Sequence, residues 1–309
     1  VEDSDEFPPQ LGYVERMLGY TFKRKLLLVE ALTHASYEQN THIASYERME
    51  FLGDSILDIV VTNFLYCAPG KEYSPGHIHS RKAAMVNAHI LAYTCLRCCV
   101  YIDAAMPGPN VEGGITIQPI THPVYLWQCM LHSSPRVLED QTQTVARFRR
   151  RHVEIEQALD SWTKFPWAEL TQLQAPKFFS DIIEALLGVV YLDSQGDLDI
   201  VRGVMRNLGL MQILERIVEK DIDVLHPVSR LSLWASKNGK DLEYCYEMSK
   251  GEVTCVILVD GSEEVRCTGI YHGYASQGEV KILAAEQAIQ ALHLRDVGMN
   301  YTLMKRKNT

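Results

Sequence analysis

The sequence predicts an all-α domain followed by a small α-β-β-β-α domain. Three observations carry this prediction. Apolar residues recur at three- and four-residue intervals through most of residues 11–219. His226-Pro227 marks a boundary, with Pro227 suited to the first turn of a new helix. Beyond it, short runs rich in β-branched and aromatic residues lie between two helical patterns.

The elements follow in order. The acidic start, Val1-Glu2-Asp3-Ser4-Asp5-Glu6, opens a flexible lead-in over residues 1–10. It lacks a Met and any basic, apolar leader, so we expect no secretory targeting and a piece of a longer chain. Leu11 to Leu32 reads as helical turns, and Thr41 to Leu65 as a second helical segment with Ser45 as its cap. Residues 68–76 form a turn, and His79 to Tyr101 returns to helical spacing. Pro107, Gly108, Pro109, Gly113, Gly114, Pro119 and Pro123 predict an exposed excursion without regular structure. Leu138–Trp162, Phe178–Leu192 and Leu198–Glu219 are predicted helices. Strands follow at Leu242–Met248, Thr254–Val259 and Val265–Tyr271, with Asp260-Gly261 turning between the last two. Glu279–Leu294 closes as an Ala-rich helix. The domains are thus 11–220, with a long insertion at about 104–176, and 226–295, followed by a basic tail at 296–309.

Composition narrows the classes. An apolar fraction of 47% over 309 residues is enough for a substantial core. No uninterrupted apolar stretch approaches the roughly 18 residues of a membrane span. The eight cysteines lie mostly among apolar residues and read as reduced interior thiols of an intracellular protein. Cys95 and Cys98 have a zinc-like spacing without a second pair, and Cys245, Cys255 and Cys267 with His272 form a weaker zinc candidate. The net charge of -9 means that any nucleic-acid affinity must come from local surfaces and metal ions. Arg147 to His152, R-F-R-R-R-H, is one such surface, read either as a solvated helix face or as a phosphate contact through Arg149 and Arg150.

Two acidic strings are the most informative. In Glu47-Arg48-Met49-Glu50-Phe51-Leu52-Gly53-Asp54-Ser55, Glu50 and Asp54 are four apart and share a helix face. In Phe178-Phe179-Ser180-Asp181-Ile182-Ile183-Glu184-Ala185-Leu186-Leu187-Gly188, Asp181 and Glu184 share a face at i,i+3. Both pairs sit in apolar helices, where an isolated buried carboxylate is costly. Each alone reads first as a solvated residue or part of an N-terminal turn. Together they form an oxygen cage suited to Mg2+, or Mn2+ in its place.

These strings resemble the signature and second acidic motif of the ribonuclease III family. Ala31-Leu32-Thr33-His34-Ala35-Ser36 and His79-Ser80-Arg81-Lys82-Ala83-Ala84-Met85-Val86-Asn87 resemble further family segments. The resemblance covers most of Leu11 to Glu219, apart from Ala104 to Pro176. It implies an all-α endonuclease domain in which Glu50, Asp54, Asp181 and Glu184 are catalytic metal ligands, with Glu47 outside that set. It further implies metal-assisted hydrolysis of double-stranded RNA to staggered duplexes with 5′ phosphate and 3′ hydroxyl ends. Phe51 and Leu52 match a pairing surface, Arg81 and Asn87 are candidates for RNA contact or support of the site, and Thr33, His34 and Ser36 organise the helical core.

His226 to Leu294 resembles a double-stranded-RNA-binding domain in element order. Gln277 and Gly278 replace its usual lysine pair, leaving Lys281 as the main RNA candidate and Lys250 behind it. Lys305-Arg306-Lys307 suits phosphate contact, nuclear entry or a plain basic tail. The long insertion and the eroded terminal domain resemble the second nuclease domain and RNA-binding domain of fungal Dicer-like enzymes of RNA silencing. Its partner would be another ribonuclease III domain of the same full-length chain, or a second copy. A stand-alone ribonuclease III acting on structured precursors and a noncatalytic RNA scaffold are the alternatives.

Overall fold

The computed structural model describes residues 7–37, 44–109, 115–249, 251–270 and 277–294. Lys250, His272 and the tail with Lys305-Arg306-Lys307 lie outside the described residues. The chain divides into two compact units: Val1–Leu57, Leu91–Gln141 and Lys177–Met211 form one, and Asp58–Ile90, Thr142–Pro176 and Gln212–Thr309 the other.

The first unit is built on α8 (Phe178–Asp193), whose side chains are buried almost all round, as in a central core helix. α2 (Lys25–Leu32) and α9 (Leu198–Asn207) pack on it, and α1 (Gln10–Leu18) packs on α9. The predicted helical stretch Leu11–Leu32 is broken at Gly19, which takes the left-handed conformation with φ 62° and ends α1. Asp193, at the end of α8, ties the connection to α2 in place. It accepts hydrogen bonds from Tyr20 Oη at 2.8 Å, Lys23 N at 2.9 Å and Arg24 N at 3.0 Å.

α3 (Glu47–Tyr66) begins in this unit. Ser45 does not cap its backbone as expected; its hydroxyl donates to the Glu47 carboxylate, and Tyr46 O accepts from Met49 N and Glu50 N instead. The crossing of α3 with α8 is set by two glycines. A side chain at Gly53 would overlap the Glu184 carbonyl, and one at Gly188 would overlap the Met49 carbonyl. Only a bare backbone on both helices permits so close an approach.

The Pro- and Gly-rich stretch is not irregular. β1 (Cys99–Pro109) and β2 (Ile115–Tyr125) form an antiparallel ribbon, Cys99 opposite Tyr125 and Pro109 opposite Ile115. In a two-stranded ribbon each strand has a free edge, so a missing proline N–H need not break the ladder. A 3-10 turn at Leu126–Cys129 follows.

The predicted helix from His79 to Tyr101 is broken in two. α4 (Pro75–Met85) stops before Asn87, whose Oδ1 accepts from His89 N and Ile90 N and starts α5 (Ala88–Arg97). α6 (Pro135–Ser161) matches its prediction, while the short α7 (Trp167–Thr171) was not foreseen. Gly209, with φ 81°, separates α9 from α10 (Leu210–Glu219).

α11 (Pro227–Lys237) and α12 (Gln277–Ala291) pack together, α12 lying on the three-stranded sheet β3 (Leu242–Ser249), β4 (Glu252–Val259) and β5 (Ser262–Ile270). The Asp260-Gly261 turn is as predicted, with positive φ at both residues, 51° and 78°. Leu231, Val253, Ile257, Val280 and Ala284 fill its core. Among the described residues, no helix is long and apolar enough to cross a membrane.

Candidate metal centre

The glycine crossing of α3 and α8 brings the two acidic strings together in the first unit. One carboxylate oxygen each from Glu50, Asp181 and Glu184 lies within 4.8 Å of the others. Asp54, the fourth expected ligand, is outside this group and exposed, although its charge still acts on Glu184. Asp181 and Glu184 are buried, at 6% and 8% exposure.

Charge is crowded here. Burial, then the Asp181 and Asp54 charges, push the Glu184 carboxyl up to about 8 against the pull of Lys177. Burial also raises Asp181, and Glu50 adds to it, against hydrogen bonds from Lys177 and Tyr46. Lys177 Nζ bridges Glu50 Oε1 at 2.7 Å and Asp181 Oδ1 at 2.6 Å. Desolvation disfavours its charge, but those two hydrogen bonds outweigh it and hold the ammonium above the usual lysine range. Tyr46, its phenol raised by burial and by Asp181, donates to Asp181 Oδ2 at 3.2 Å.

Lys177 and Tyr46 were missed by the sequence reading, although a lysine four residues before an aspartate on one helix is a readable ion-pair signal. The donor set is all oxygen, partly buried and over-supplied with negative charge. That fits a hard divalent cation such as Mg2+ or Mn2+.

The remaining candidates divide sharply. Phe51 is 78% exposed on α3, and Leu52 is half-buried. Thr33 Oγ1 donates to Val29 O, and His34 Nδ1 pairs with Ser36 Oγ, consistent with a core-organising role. Arg81 corrects the expectation of RNA contact. It is fully buried, its Nη2 2.5 Å from Asp221 Oδ1 and its guanidinium 4.2 Å from the Tyr73 ring centroid. A planar guanidinium that stacks and pairs in this way is withdrawn from phosphate. Asn87 is likewise engaged with backbone, donating to Ala83 O and Ala84 O.

In the basic string, Arg147 donates to Leu173 O and Gln174 O, leaving Arg149 and Arg150 exposed, with Arg150 Nε on Ala146 O of its own helix. Lys281 Nζ lies 4.2 Å from the Tyr244 ring centroid. The three-cysteine zinc candidate is not assembled. Cys255 and Cys267 are directly opposed across β4 and β5 and buried, whereas Cys245 is exposed on the alternate face of β3. Cys95 is buried, and burial pushes its thiol well up.

This α-helical domain gathers three carboxylates from two helices that cross at glycines, an arrangement that could hold a divalent metal ion. Residues 47–195 match the Ribonuclease III domain, and the chain carries a domain of the ribonuclease III family. Among curated relatives, Dicer-like protein 2 of Coccidioides immitis is 34% identical over 301 residues, covering 94% of this chain and 20% of that protein. Dicer-like protein 2 of Aspergillus oryzae is 33% identical over 291 residues, covering 92% and 20%. The chain thus spans about a fifth of the length of these relatives. Among solved structures, the nuclease domain of ribonuclease III from Campylobacter jejuni is similar, with a TM-score of 0.36 and 22% identity over 67% of this chain and 95% of that one.

Proposed function

We propose that residues 11–220 are a metal-dependent endoribonuclease that cuts double-stranded RNA, and that 226–295 are a reduced double-stranded-RNA-binding domain. The observation that carries this reading is the gathering of Glu50, Asp181 and Glu184 within 4.8 Å. These three, with Asp54 nearby, would hold Mg2+ or Mn2+, which supplies an activated water and charge stabilisation at a phosphodiester. The chain's own residues do the positioning. Lys177 offers an exposed ammonium beside the cage, able to leave the carboxylates for a phosphate oxygen once a cation neutralises them. Arg149 and Arg150 present charge suited to the RNA backbone.

The similarity to Dicer-like proteins over nearly the whole chain supports a place within such an enzyme, acting in RNA silencing. The small α-β-β-β-α segment that follows favours the second of its nuclease domains. Phe51, exposed on α3, supports pairing with another ribonuclease III domain or a second copy. Two facing centres would cut both strands at staggered positions, leaving 5′ phosphate and 3′ hydroxyl ends.

A long perfect RNA duplex incubated with Mg2+ and the chain, alone and reconstituted with a paired nuclease domain, tests the reading. Staggered products are expected, abolished by Glu50→Gln and by Asp54→Asn. An intact duplex in both preparations contradicts it.

A further inference from the structure

The two oxygens of Asp181 have different partners. Oδ1 receives Lys177 Nζ at 2.6 Å and Ser180 Oγ at 3.4 Å, while Oδ2 receives the Tyr46 hydroxyl at 3.2 Å. Tyr46 is itself held from two sides. Its N–H donates to Thr33 O at 2.9 Å, and its carbonyl accepts Met49 N and Glu50 N at 2.8 Å each. Its ring is 6% exposed and lies edge-on to His34 at 5.8 Å between centroids. The phenol therefore cannot follow a rotating carboxylate. The terminal torsion of an aspartate is otherwise broad, so a fixed donor on one oxygen selects an orientation.

Resting on the metal-centre reading above, we propose that Tyr46 is a positioning residue that holds Asp181 Oδ2 and so presents Oδ1 to the divalent cation. The same residue starts the helix that carries Glu50, so one side chain and its backbone link the two acidic strings. A hydrogen-bonded partner of this kind fixes a ligand's geometry before the ion arrives, and its loss typically weakens metal affinity about tenfold or more.

Tyr46→Phe keeps the ring and removes only the hydroxyl. Mn2+ binding to the full chain, followed by electron paramagnetic resonance of the free ion without RNA, should show about tenfold weaker affinity. The ion-free Tm should stay within about 4 °C of wild type, the loss expected for one hydrogen bond. Duplex cleavage that is weak at limiting Mg2+ should recover in excess Mg2+. Equal Mn2+ affinity in variant and wild type overturns the proposal. So does weaker binding accompanied by a large fall in Tm and no rescue by excess ion, which marks a purely structural hydroxyl. A wild-type chain that takes up no Mn2+ instead overturns the metal centre beneath it, a different result.

Discussion

Gly53 of α3 lies so close to the Glu184 carbonyl of α8 that no side chain fits between the helices. This approach, mirrored by Gly188 against Met49, places Glu50 beside Asp181 and Glu184. Helix-interior glycine costs about 1 kcal/mol against alanine, so its presence in both helices is explained by the crossing. Gly53→Ala should reverse the usual gain and destabilise the chain by about 3 kcal/mol through overpacking. Urea unfolding measures this, and an unchanged midpoint would contradict the crossing.

Lys177 compensates Glu50 and Asp181 through one ammonium. Lys177→Met should therefore cut duplex cleavage by about a hundredfold, in the range of removing one charge-stabilising donor. Mn2+ uptake should persist or tighten, since a competing cation is gone. Parallel measurement of turnover and ion binding separates the two effects.

The raised Glu184 carboxyl makes stability depend on pH. Its folded value, about 8, lies above the unfolded value near 4.3, so the folded state binds the proton more tightly. The favourable contribution is full at low pH and is lost as pH rises from about 4 to 8. In ion-free buffer, Glu184→Gln should flatten that decline and raise Tm at pH 8, while Tm at pH 5 changes little. Thermal melts across this window check the sign.

Asp193 works in the opposite direction. Burial alone would raise its carboxyl, but hydrogen bonds from Lys23 N, Tyr20 Oη and Arg24 N outweigh burial and hold it below the usual range. Its stabilising contribution is present above about pH 4 and is lost as acid protonates it. Asp193→Ala should cost about 2–3 kcal/mol at neutral pH, as expected for a charged hydrogen-bond acceptor, and should shift acid unfolding less than wild type between pH 5 and 3.

Phe51 contributes nothing to the core of its own chain at 78% exposure. Phe51→Asp should leave the Tm of the monomer unchanged and abolish self-pairing in sedimentation velocity. A variant that pairs as well as wild type places the pairing surface elsewhere.

Much of this was legible because local rules and tertiary structure agree. The i,i+3 pair of Asp181 and Glu184, Pro227 at a helix start and the Asp260-Gly261 turn all encode their geometry within a few residues, whereas Asp54 of the i,i+4 pair lies outside the cluster. What was illegible depends on distant partners. Arg81 reads as a surface cation until Asp221 and Tyr73 enclose it. The β1–β2 ribbon reads as a broken loop because its prolines are tolerable only where strand edges are free. The interior glycines were visible in both strings, but only the facing helix explains them.

The proposed metal centre requires two crossing helices to turn three carboxylates onto one divalent ion. Diffraction from Mn2+-soaked crystals, with anomalous scattering recorded at the manganese edge, tests it directly. A peak bounded by Glu50, Asp181 and Glu184 is expected, with Lys177 displaced from between Glu50 and Asp181. No peak at these carboxylates at saturating Mn2+, with Lys177 still bridging them, would contradict it.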